Sequence, residues 1–445
     1  LYPDGKLQII QSEMGTGKTY QIRKLLTDNT DLRVLIVCFR VELGQYMCTY
    51  LGNLNFTFYR NVTGMLSQPK LICQVNSMHR IYNATYDLLI LDEIESIIEQ
   101  FSGVCATRRR MCWLVLEKLI RDTPNILALD ACIADRSLEV LQSIRTDTVL
   151  IRNLFQSRSD MKMTETNNRV FFSWMIADIT AGRAIAITST SASLLVSLEH
   201  SIKKLFPSKR TLLIWSQSTD CDKRMYTHDL SNVDVFMYSA TLQAGISIDI
   251  IHFSKLFVYI TANGPTPQSL HQMLARIRHF HDNEICMTFD KGSTVSDGGD
   301  EWSYEQMVNH LTTPVDIALD SRFSTDMGAV ISGFAKDWSR VYSCTPFFVC
   351  TVHNILQSFN GTRHFRKLFI RQALNKGYDV KSMTDCWDID EQATHLLKMT
   401  RNEMKLQKEE HYTTIANADS SNCLNAEELR KQADEAAIAV SLANE

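Results

Sequence analysis

Short apolar runs alternate with longer stretches of mixed polar and apolar residues along the first part of the chain. Runs of this kind occupy residues 7–10, 33–39, 70–75, 87–91, 126–129 and 148–151. Those at 34–38 and 88–91 are continuously apolar, which is typical of central strands covered on both faces. The pattern therefore predicts a parallel sheet with helices on its faces within residues 1–152.

The same alternation begins again after a polar stretch at residues 153–168. That stretch is rich in Gln, Arg, Ser, Asp and Lys, and we interpret it as a linker. Apolar runs return at residues 184–188, 211–215, 233–238, 256–260 and 285–289, which predicts a second α/β lobe at residues 169–292. We expect the two lobes to face each other across a cleft.

The strand pattern fades after residues 292–300, which are rich in Gly, Ser and Asp. Residues 335–374 and 392–443 have mainly helical patterns, so we predict a mainly helical accessory region at residues 293–445. The predicted fold class is α/β, with two tandem lobes that each contain a parallel sheet, followed by these helices.

Composition narrows the class of protein. The chain has 445 residues, a net charge of −4 and 45% hydrophobic residues, which is ordinary for a globular protein with several cores. It contains no run of 18 apolar residues and no signal-peptide pattern, so neither a membrane span nor secretion is predicted. The twelve cysteines form no Cys-x-x-Cys pair, which favours reduced thiols in an intracellular protein over a zinc site. The charge excludes a wholly basic surface but allows a local groove for nucleic acid.

A glycine-rich stretch, Gln-Ser-Glu-Met-Gly-Thr-Gly-Lys-Thr at residues 11–19, follows the first apolar run and precedes a helical stretch. A loop in this context can hold phosphates on its backbone N–H groups and on the helix N-terminus. Lys18 would reach the β- and γ-phosphates, and Thr19 would bind Mg²⁺. Ser12 stands where the strict pattern has glycine, and a chance match in a surface turn is the weaker alternative. We therefore expect ATP to bind here.

Two carboxylates, Asp92 and Glu93, follow the apolar run at residues 88–91. This position is the carboxyl edge of a parallel sheet, where open α/β folds bind ligands. Asp92 would hold Mg²⁺ and Glu93 would polarise the attacking water. Capping of the next helix is the alternative. We expect Glu95 and Glu99 to lie on the helix surface or to form local ion pairs.

A third cluster lies in the second lobe at residues 268–278. On a helix, Gln272 and Arg276 would share a face, with Arg278 half a turn further on. An arginine supplied by an opposing lobe can stabilise charge on a γ-phosphate and so link hydrolysis to lobe closure. The alternative is that these arginines are merely solvated or ion-paired.

Taken together, these motifs resemble a superfamily 2 helicase, and more specifically the herpesvirus-type replication origin-binding protein family and its relatives in large DNA viruses. The resemblance rests on residues 12–19, 34–40, 73–80, 91–96, 129–136, 238–249 and 272–278, and it covers about residues 7–290. The Asp130-Ala131 pair is informative, because many superfamily 2 helicases have Ser-Ala-Thr there. The resemblance implies two RecA-like lobes with ATP and Mg²⁺ between them.

The resemblance also implies roles for particular residues. Asp130 would couple the nucleotide site to the site that binds the nucleic-acid strand. Asp249 would lie near the cleft. The general motif has its last arginine where this chain has His279, so we expect Arg276 to be the more dependable phosphate contact. The implied groups are a triphosphate cradle of Ser12, Gly15, Thr16, Gly17, Lys18, Thr19 and Gly245, Mg²⁺ ligands Thr19 and Asp92, and catalytic residues Lys18, Asp92, Glu93, Gln272, Arg276 and Arg278.

Nucleic-acid contacts are implied at the ends of several strands. Hydroxyl and guanidinium groups there suit contacts to phosphates that do not depend on base sequence. For Thr188 and Ser189, ordinary turn capping is an equally good interpretation. The complete implied set is Arg40, Ser77, Thr188, Ser189 and Thr241.

The expected function is an ATP-dependent DNA helicase or translocase in viral-type replication. We expect single-stranded DNA as the partner, no membrane partner, and replication proteins as possible ligands of the C-terminal helices. We expect it to act in the nucleus or at a cytoplasmic replication site. The alternatives are a nucleic-acid-stimulated ATPase that does not unwind, a P-loop phosphotransferase, and a non-catalytic nucleic-acid-binding scaffold. No sequence-specific DNA-binding motif is evident after residue 300.

Overall fold

The structure is a computed structural model. It describes residues 4–81, 83–101, 108–218, 229–240, 248–261, 265–290, 300–312, 345–383 and 391–416. In these ranges, no helix is both long enough and apolar enough to cross a lipid bilayer.

The first lobe is built on a parallel sheet of seven strands in the order β3-β4-β2-β5-β6-β1-β7. Every residue of β2 and β5 is buried, as their continuous apolar sequences predict. The strands are β1 Leu7–Gln11, β2 Val34–Cys38, β3 Thr57–Phe58, β4 Lys70–Gln74, β5 Leu88–Asp92, β6 Asn125–Asp130 and β7 Thr148–Arg152.

Among the described residues of the first lobe, five helices accompany this sheet. The first helix begins directly after the glycine-rich loop and buries Ile22, Leu25 and Leu26, which lie on one face at helical spacing. Three short 3₁₀ turns complete the lobe, at Gly52–Leu54, Tyr59–Asn61 and Val75–Arg80. The helices are α1 Lys18–Asp28, α2 Val41–Tyr50, α3 Ile94–Gln100, α4 Arg109–Asp122 and α5 Asp135–Ile144.

The second lobe has a second parallel sheet of seven strands, in the order β10-β11-β9-β12-β13-β8-β14. Its strands are β8 Lys162–Thr166, β9 Ile185–Ser189, β10 Thr211–Ile214, β11 Val235–Tyr238, β12 Lys255–Ile260, β13 Glu284–Phe289 and β14 Asp379–Met383. The predicted fold class of two tandem RecA-like lobes with parallel sheets is therefore confirmed.

Side chains cap the N-termini of several helices in the second half of the chain. Asn167, Ser191 and Thr266 accept hydrogen bonds from the first backbone N–H groups of α6, α7 and α8 respectively. The helices are α6 Asn168–Thr180, α7 Ala192–Leu205, α8 Pro267–Leu274, α9 Tyr304–Thr312, α10 Pro346–Arg363, α11 Phe365–Asn375 and α12 Glu391–Ala416.

Two edge-region strands differ from the sequence-based division of the chain. Strand β8 lies inside the segment predicted as a linker, and β14 lies inside the region predicted as mainly helical. The two strands pair with each other in parallel at the edge of the second sheet. Both are rich in polar residues, and β14 is largely exposed, so neither has the apolar run that marks a central strand.

The C-terminal helices, which lie in the region predicted as mainly helical and accessory, pack onto both lobes. Cys350 of α10 belongs to the core of the first lobe, and Phe365 and Phe369 of α11 belong to the core of the second. Ala393 and Leu396 of α12 pack into the cluster formed by α6 and α7. The helices α10 and α11 therefore connect the two lobes.

Phe369 provides a test of this packing. Its side chain is fully buried and stacks on His271 with ring centroids 4.3 Å apart. We predict that Phe369→Ala lowers the free energy of unfolding by about 3–5 kcal/mol, because it leaves a cavity in the core of the second lobe. Urea denaturation monitored by tryptophan fluorescence measures this change.

The matched control is Leu374→Ala on the same helix, because Leu374 is 55% exposed. This change should alter the free energy of unfolding by no more than about 0.5 kcal/mol. Equal destabilisation by the two substitutions would contradict the docking of α11 on the second lobe.

Candidate nucleotide-binding cleft

The carboxyl ends of β1, β5 and β6 face the segment that follows α8 across a cleft of about 540 Å³. This volume is typical of a ligand pocket. The cleft brings together most residues predicted for the nucleotide site, which come from distant parts of the sequence. Those that line it are Gly15, Gly17, Lys18, Thr19, Asp92, Glu93, Gln272, Arg276 and Arg278.

The loop that precedes α1 depends on two glycines. Gly15 and Gly17 have φ values of 80° and 87°, in the left-handed region that disfavours other residues. Gly17 is also the N-cap of α1, and no side chain caps that end of the helix. The backbone N–H groups at this helix N-terminus can therefore serve an anion.

Ser12 and Thr16 brace the loop from within. The Ser12 hydroxyl lies 2.7 Å from the Thr16 hydroxyl and accepts a hydrogen bond from Asn153 Nδ2 at 3.0 Å. Thr16 also donates to the backbone carbonyl of Glu13 at 2.6 Å. Neither side chain lines the cleft, so the structure gives them a supporting position where the sequence suggested direct contact with the triphosphate.

Lys18 is folded back on the same loop. Its ammonium group donates to the backbone carbonyls of Ser12 and Glu13, the latter at 2.9 Å. Burial lowers the pKa of Lys18, while the negative charges of Asp130, Asp92 and Glu93 act in the opposite direction. The lysine is thus the cation at the centre of a group of carboxylates.

Three carboxylates converge beside Lys18 at the ends of two adjacent strands. Burial raises the pKa of Asp92 to about 6, with Lys18 opposing the shift. Burial also raises the pKa of Asp130 to about 7, and the charges of Glu95 and Glu93 add to the effect. Asp130 is held in place because its carboxylate accepts hydrogen bonds from the N–H groups of Glu95 at 3.0 Å and Cys132 at 3.1 Å.

Glu93 occupies an unusual backbone conformation at the end of β5. Its φ of 60° lies in the left-handed region, which is uncommon for a residue other than glycine and often marks a functional site. Burial raises the pKa of Glu93, and the nearby Arg276 opposes that shift. Within the described part of the chain, its buried Oε2 atom has no hydrogen-bond partner. That oxygen can therefore accept a proton or a hydrogen bond from a ligand in the cleft.

The arginine segment of the second lobe differs from its predicted form. Helix α8 ends at Leu274, so Arg276 does not share a helix face with Gln272. Both arginines instead lie on an irregular segment that is fixed by hydrogen bonds from the Ile248 N–H to the Arg276 carbonyl and from the Arg278 N–H to the Ile248 carbonyl. The backbone from which these two side chains extend is therefore fixed by hydrogen bonds to Ile248 and not by a helix.

Both arginines nevertheless reach the nucleotide site. Arg276 is buried, and its charge acts across the cleft against the rise in the pKa of Glu93 that burial causes. Arg278 is 40% exposed and pairs with Asp249 at 3.1 Å. A side-chain β-carbon on Gly15 would lie 3.9 Å from the guanidinium carbon of Arg278. Arg278 is thus placed directly over the phosphate loop.

A buried ion pair beside the carboxylates was missed by the sequence analysis. Glu95 is buried and not on the helix surface, and its carboxylate accepts a hydrogen bond from Arg136 Nη2 at 2.7 Å. Arg136 also donates to Asn354 of α10 at 2.7 Å. Glu95 further accepts from the Ala134 N–H at 2.8 Å. This network fixes the segments after β5 and β6 relative to each other and ties them to a C-terminal helix.

Two of the residues predicted to contact a nucleic-acid strand are buried inside the second lobe. Thr188 and Ser189 are fully buried, and their hydroxyls donate to the carbonyls of Tyr238 and Tyr259, each at 2.8 Å. The structure therefore contradicts a nucleic-acid contact by these two residues. The next residue, Thr190, is partly exposed, and its hydroxyl lies 2.9 Å from that of Thr261.

The remaining residues predicted to contact nucleic acid lie elsewhere in the structure. Arg40 is the N-cap of α2 and is partly buried near Glu93 and Glu99, and burial lowers its pKa. Ser77 lies in the 3₁₀ turn after β4 and is partly exposed. Thr241 and Gly245 lie outside the described residues.

Comparison with known proteins places this geometry in context. The family model described as origin of replication binding protein matches residues 4–159 and 150–307. The replication origin-binding protein of human herpesvirus 7 is 30% identical over 299 residues, which cover 63% of this chain and 37% of that protein. A putative helicase/primase complex protein of African swine fever virus, isolate Pig/Kenya/KEN-50/1950, is 24% identical over 433 residues, 93% of this chain and 40% of that protein. The chain thus spans about 40% of the length of these relatives.

Two solved structures are also similar. Dbp5 of S. cerevisiae, bound to RNA and ADP BeF3, has a TM-score of 0.47 at 12% identity, with 89% of each chain covered. The helicase Lhr of Mycobacterium smegmatis, bound to ssDNA and AMP-PNP, has a TM-score of 0.45 at 15% identity, with 70% of this chain and 46% of that chain covered.

The buried Asp130 predicts a measurable pH dependence. Its folded-state pKa of about 7 lies above the value of about 3.9 for an unfolded aspartate, so between these values the folded chain holds a proton that the unfolded chain releases. The stability that this proton supplies is therefore present below about pH 4 and is lost as the pH rises to about 7.

We predict that the stability of the native chain relative to Asp130→Asn falls by up to about 1.4 kcal/mol per pH unit across this window. Urea denaturation of both proteins at pH 5, 6, 7 and 8, without nucleotide or metal, measures the difference. A difference in free energy of unfolding that stays constant with pH would contradict the raised pKa.

Proposed function

Because the chain belongs to the origin of replication binding protein family, we propose that its cleft hydrolyses ATP with Mg²⁺ and couples hydrolysis to movement along single-stranded DNA. The observation that carries this proposal is the position of Arg276 and Arg278 of one lobe opposite Glu93 and the phosphate loop of the other. A site divided between two lobes is complete only when the lobes are closed. The rate of hydrolysis would therefore depend on the closing of the cleft.

The phosphate loop would hold the triphosphate. Backbone N–H groups at the uncapped N-terminus of α1 would bind phosphate oxygens, and Lys18 would exchange its loop carbonyls for the β- and γ-phosphates. The closely spaced carboxylates would otherwise repel an anion, so the lysine and a metal are both needed beside them.

The residues beside the loop suit Mg²⁺. This ion usually takes one or two protein ligands and completes its shell with water and phosphate oxygens. Thr19 and Asp92 line the same cleft, and the described residues contain no group of three or more His, Cys, Asp and Glu side chains arranged for a metal. When bound, the ion would neutralise charge on the phosphates. Its positive charge would also favour the ionised form of Asp92.

Glu93 is the proposed base for the attacking water. Its carboxylate has a buried acceptor oxygen without a hydrogen-bond partner among the described residues, and burial raises its pKa, which makes the ionised carboxylate a better proton acceptor. The sequence favoured Arg276 as the phosphate contact, but Arg276 lies near Glu93 whereas Arg278 lies beside Gly15 of the phosphate loop. Arg276 would therefore orient Glu93 in the closed state, and Arg278 would stabilise charge on the γ-phosphate. Gln272 would support the same face of the cleft.

We propose that a single strand of nucleic acid binds at the surface where both lobes expose polar groups after the ends of their β-strands. In the first lobe, Arg40 and Ser77 would contact the phosphate backbone. In the second lobe, the partly exposed Thr190 and Ser191 would replace the buried Thr188 and Ser189. Repeated closure would then move these contacts along one strand.

The biological setting is proposed from the relatives. The herpesvirus relative is named a replication origin-binding protein, and the swine fever relative is named a putative helicase/primase complex protein. We propose a role in the replication of viral-type DNA at an intracellular site, with replication proteins as candidate partners of the exposed helical surfaces.

Glu93→Gln tests the proposed chemistry. The amide retains the shape of the side chain but cannot take a proton, so we predict that the turnover number for ATP falls by roughly 10²- to 10⁴-fold. The dissociation constant for Mg-ATP should stay within about threefold, because the triphosphate cradle is intact. Steady-state phosphate release and calorimetric titration measure the two quantities.

Three results would distinguish the rival functions. Unchanged turnover in Glu93→Gln would contradict its role as the base. Turnover that is insensitive to added DNA would favour a phosphotransferase. Binding of strand and nucleotide without turnover in the native chain would favour a scaffold.

Arg278→Ala tests the contribution of the second lobe. We predict a loss in turnover number of roughly 10³-fold or more, because the charge on the transferred phosphoryl group loses a cation. Stability should change little, since Arg278 is 40% exposed. The matched control is Arg121→Ala, an exposed arginine paired with Glu117 four residues away, which should retain full turnover. Equal activity of the two variants would contradict a divided site.

A further inference from the structure

Three tyrosines line the cleft beyond the phosphate loop. Tyr20 lies on α1, and Tyr46 and Tyr50 lie on α2. Tyr20 is 61% exposed and Tyr46 is 45% exposed. Each tyrosine ring has a large apolar face, and the exposed rings present such faces to a ligand in the cleft. We call these three residues the tyrosine shelf.

Two of the three rings of the shelf are held by contacts with neighbouring side chains. Tyr46 and Tyr50 are four residues apart on α2 and stack with ring centroids 5.9 Å apart and an interplanar angle of 18°. The guanidinium carbon of Arg23 lies 5.1 Å from the centroid of the Tyr50 ring, which links α1 to α2. Tyr46 and Tyr50 therefore form a preorganised aromatic pair, which lowers the entropic cost of ordering them when a ligand binds.

The position of the shelf relative to the phosphate loop limits what it can bind. Tyr20 directly follows Thr19 in the first turn of α1. Tyr46 lines the same cleft as Arg278 and Asp92. Burial raises the pKa of its phenol, and the charges of Arg278 and Asp92 also act on it. The shelf and the loop are thus two parts of one continuous cleft. A triphosphate bound at the loop would carry its attached nucleoside into the adjoining space.

We propose that the tyrosine shelf binds the base of the nucleoside triphosphate by stacking. This inference rests on the proposed function, because it assigns the base to a cleft whose phosphate end is already assigned. Every base has a π-face, so stacking contributes affinity with little discrimination between bases. We therefore expect the protein to use ATP and GTP with Michaelis constants within about fivefold of each other.

Another occupant of the shelf would be a base of the nucleic-acid strand. The continuity of the shelf with the phosphate loop favours the nucleotide, and the experiment below separates the two. It compares Tyr46→Leu, which removes the ring, with Tyr46→Phe, which keeps it. Phe155→Leu serves as an external control, since Phe155 is 64% exposed but does not line the cleft.

The dissociation constants of three probes are measured by calorimetry in the Glu93→Gln background, so that the result does not depend on turnover. The probes are Mg-ATP, Mg-tripolyphosphate and a single-stranded oligothymidylate. We expect Tyr46→Leu to weaken Mg-ATP binding by at least about fivefold, the lower end of the range for loss of one stacked base. Tripolyphosphate has no base, so its affinity should change by less than about twofold.

Tyr46→Phe should restore Mg-ATP affinity to within about twofold of the parent, and Phe155→Leu should leave all three affinities unchanged. Unchanged Mg-ATP affinity in Tyr46→Leu, with tight binding retained in the parent, would overturn the assignment of the base to the shelf but not the proposed function. Weakened oligothymidylate binding with unchanged Mg-ATP affinity would overturn it in favour of the strand. Failure of the parent to bind either Mg-ATP or Mg-tripolyphosphate would overturn the proposed function and the shelf together.

Discussion

Buried charge at one edge of the first sheet is the constraint on which this structure depends. Lys18, Asp92, Glu93 and Asp130 meet where β1, β5 and β6 end, and Arg276 approaches from the other lobe. Ionised groups removed from water are costly unless opposite charges compensate them. Three carboxylates face one buried lysine and one buried arginine, and burial raises the pKa of all three acids. The site would therefore gain from a bound metal ion, whose positive charge would offset the excess of carboxylates before an anionic phosphate chain binds.

The C-terminal helices connect this constraint to lobe movement. Asn354 of α10 receives a hydrogen bond from Arg136, which pairs with Glu95 beside the carboxylates. Phe369 of α11 stacks on His271, next to Gln272 in the second lobe. One helical connection thus touches the supporting network of one lobe and, in the other lobe, the helix α8 that precedes the arginine segment. In the proposed function, closing the cleft would require these contacts to shift together or to act as the hinge.

The sequence predicted those parts of the fold and site that depend on local patterns. Continuous apolar runs identified β2 and β5, and the glycine-rich loop before α1 has the expected strand and helix around it. Strand β8 was missed because its alternation of Lys, Met, Thr and Glu resembles a polar loop. The buried pair of Glu95 and Arg136 joins residues 41 positions apart, so no local pattern could reveal it. Thr188 was misassigned because its strand continues to Ser189 and buries both hydroxyls.

The dependence of ATP turnover on single-stranded DNA tests the central claim most directly. Steady-state phosphate release by the native chain would be measured as an oligothymidylate is added, with Mg²⁺ and saturating ATP. If strand binding stabilises the closed arrangement in which Arg278 lies over the phosphate loop, turnover should rise in a saturable manner, by roughly tenfold or more. Turnover that is present but independent of the strand at every concentration would contradict the coupling of hydrolysis to nucleic acid.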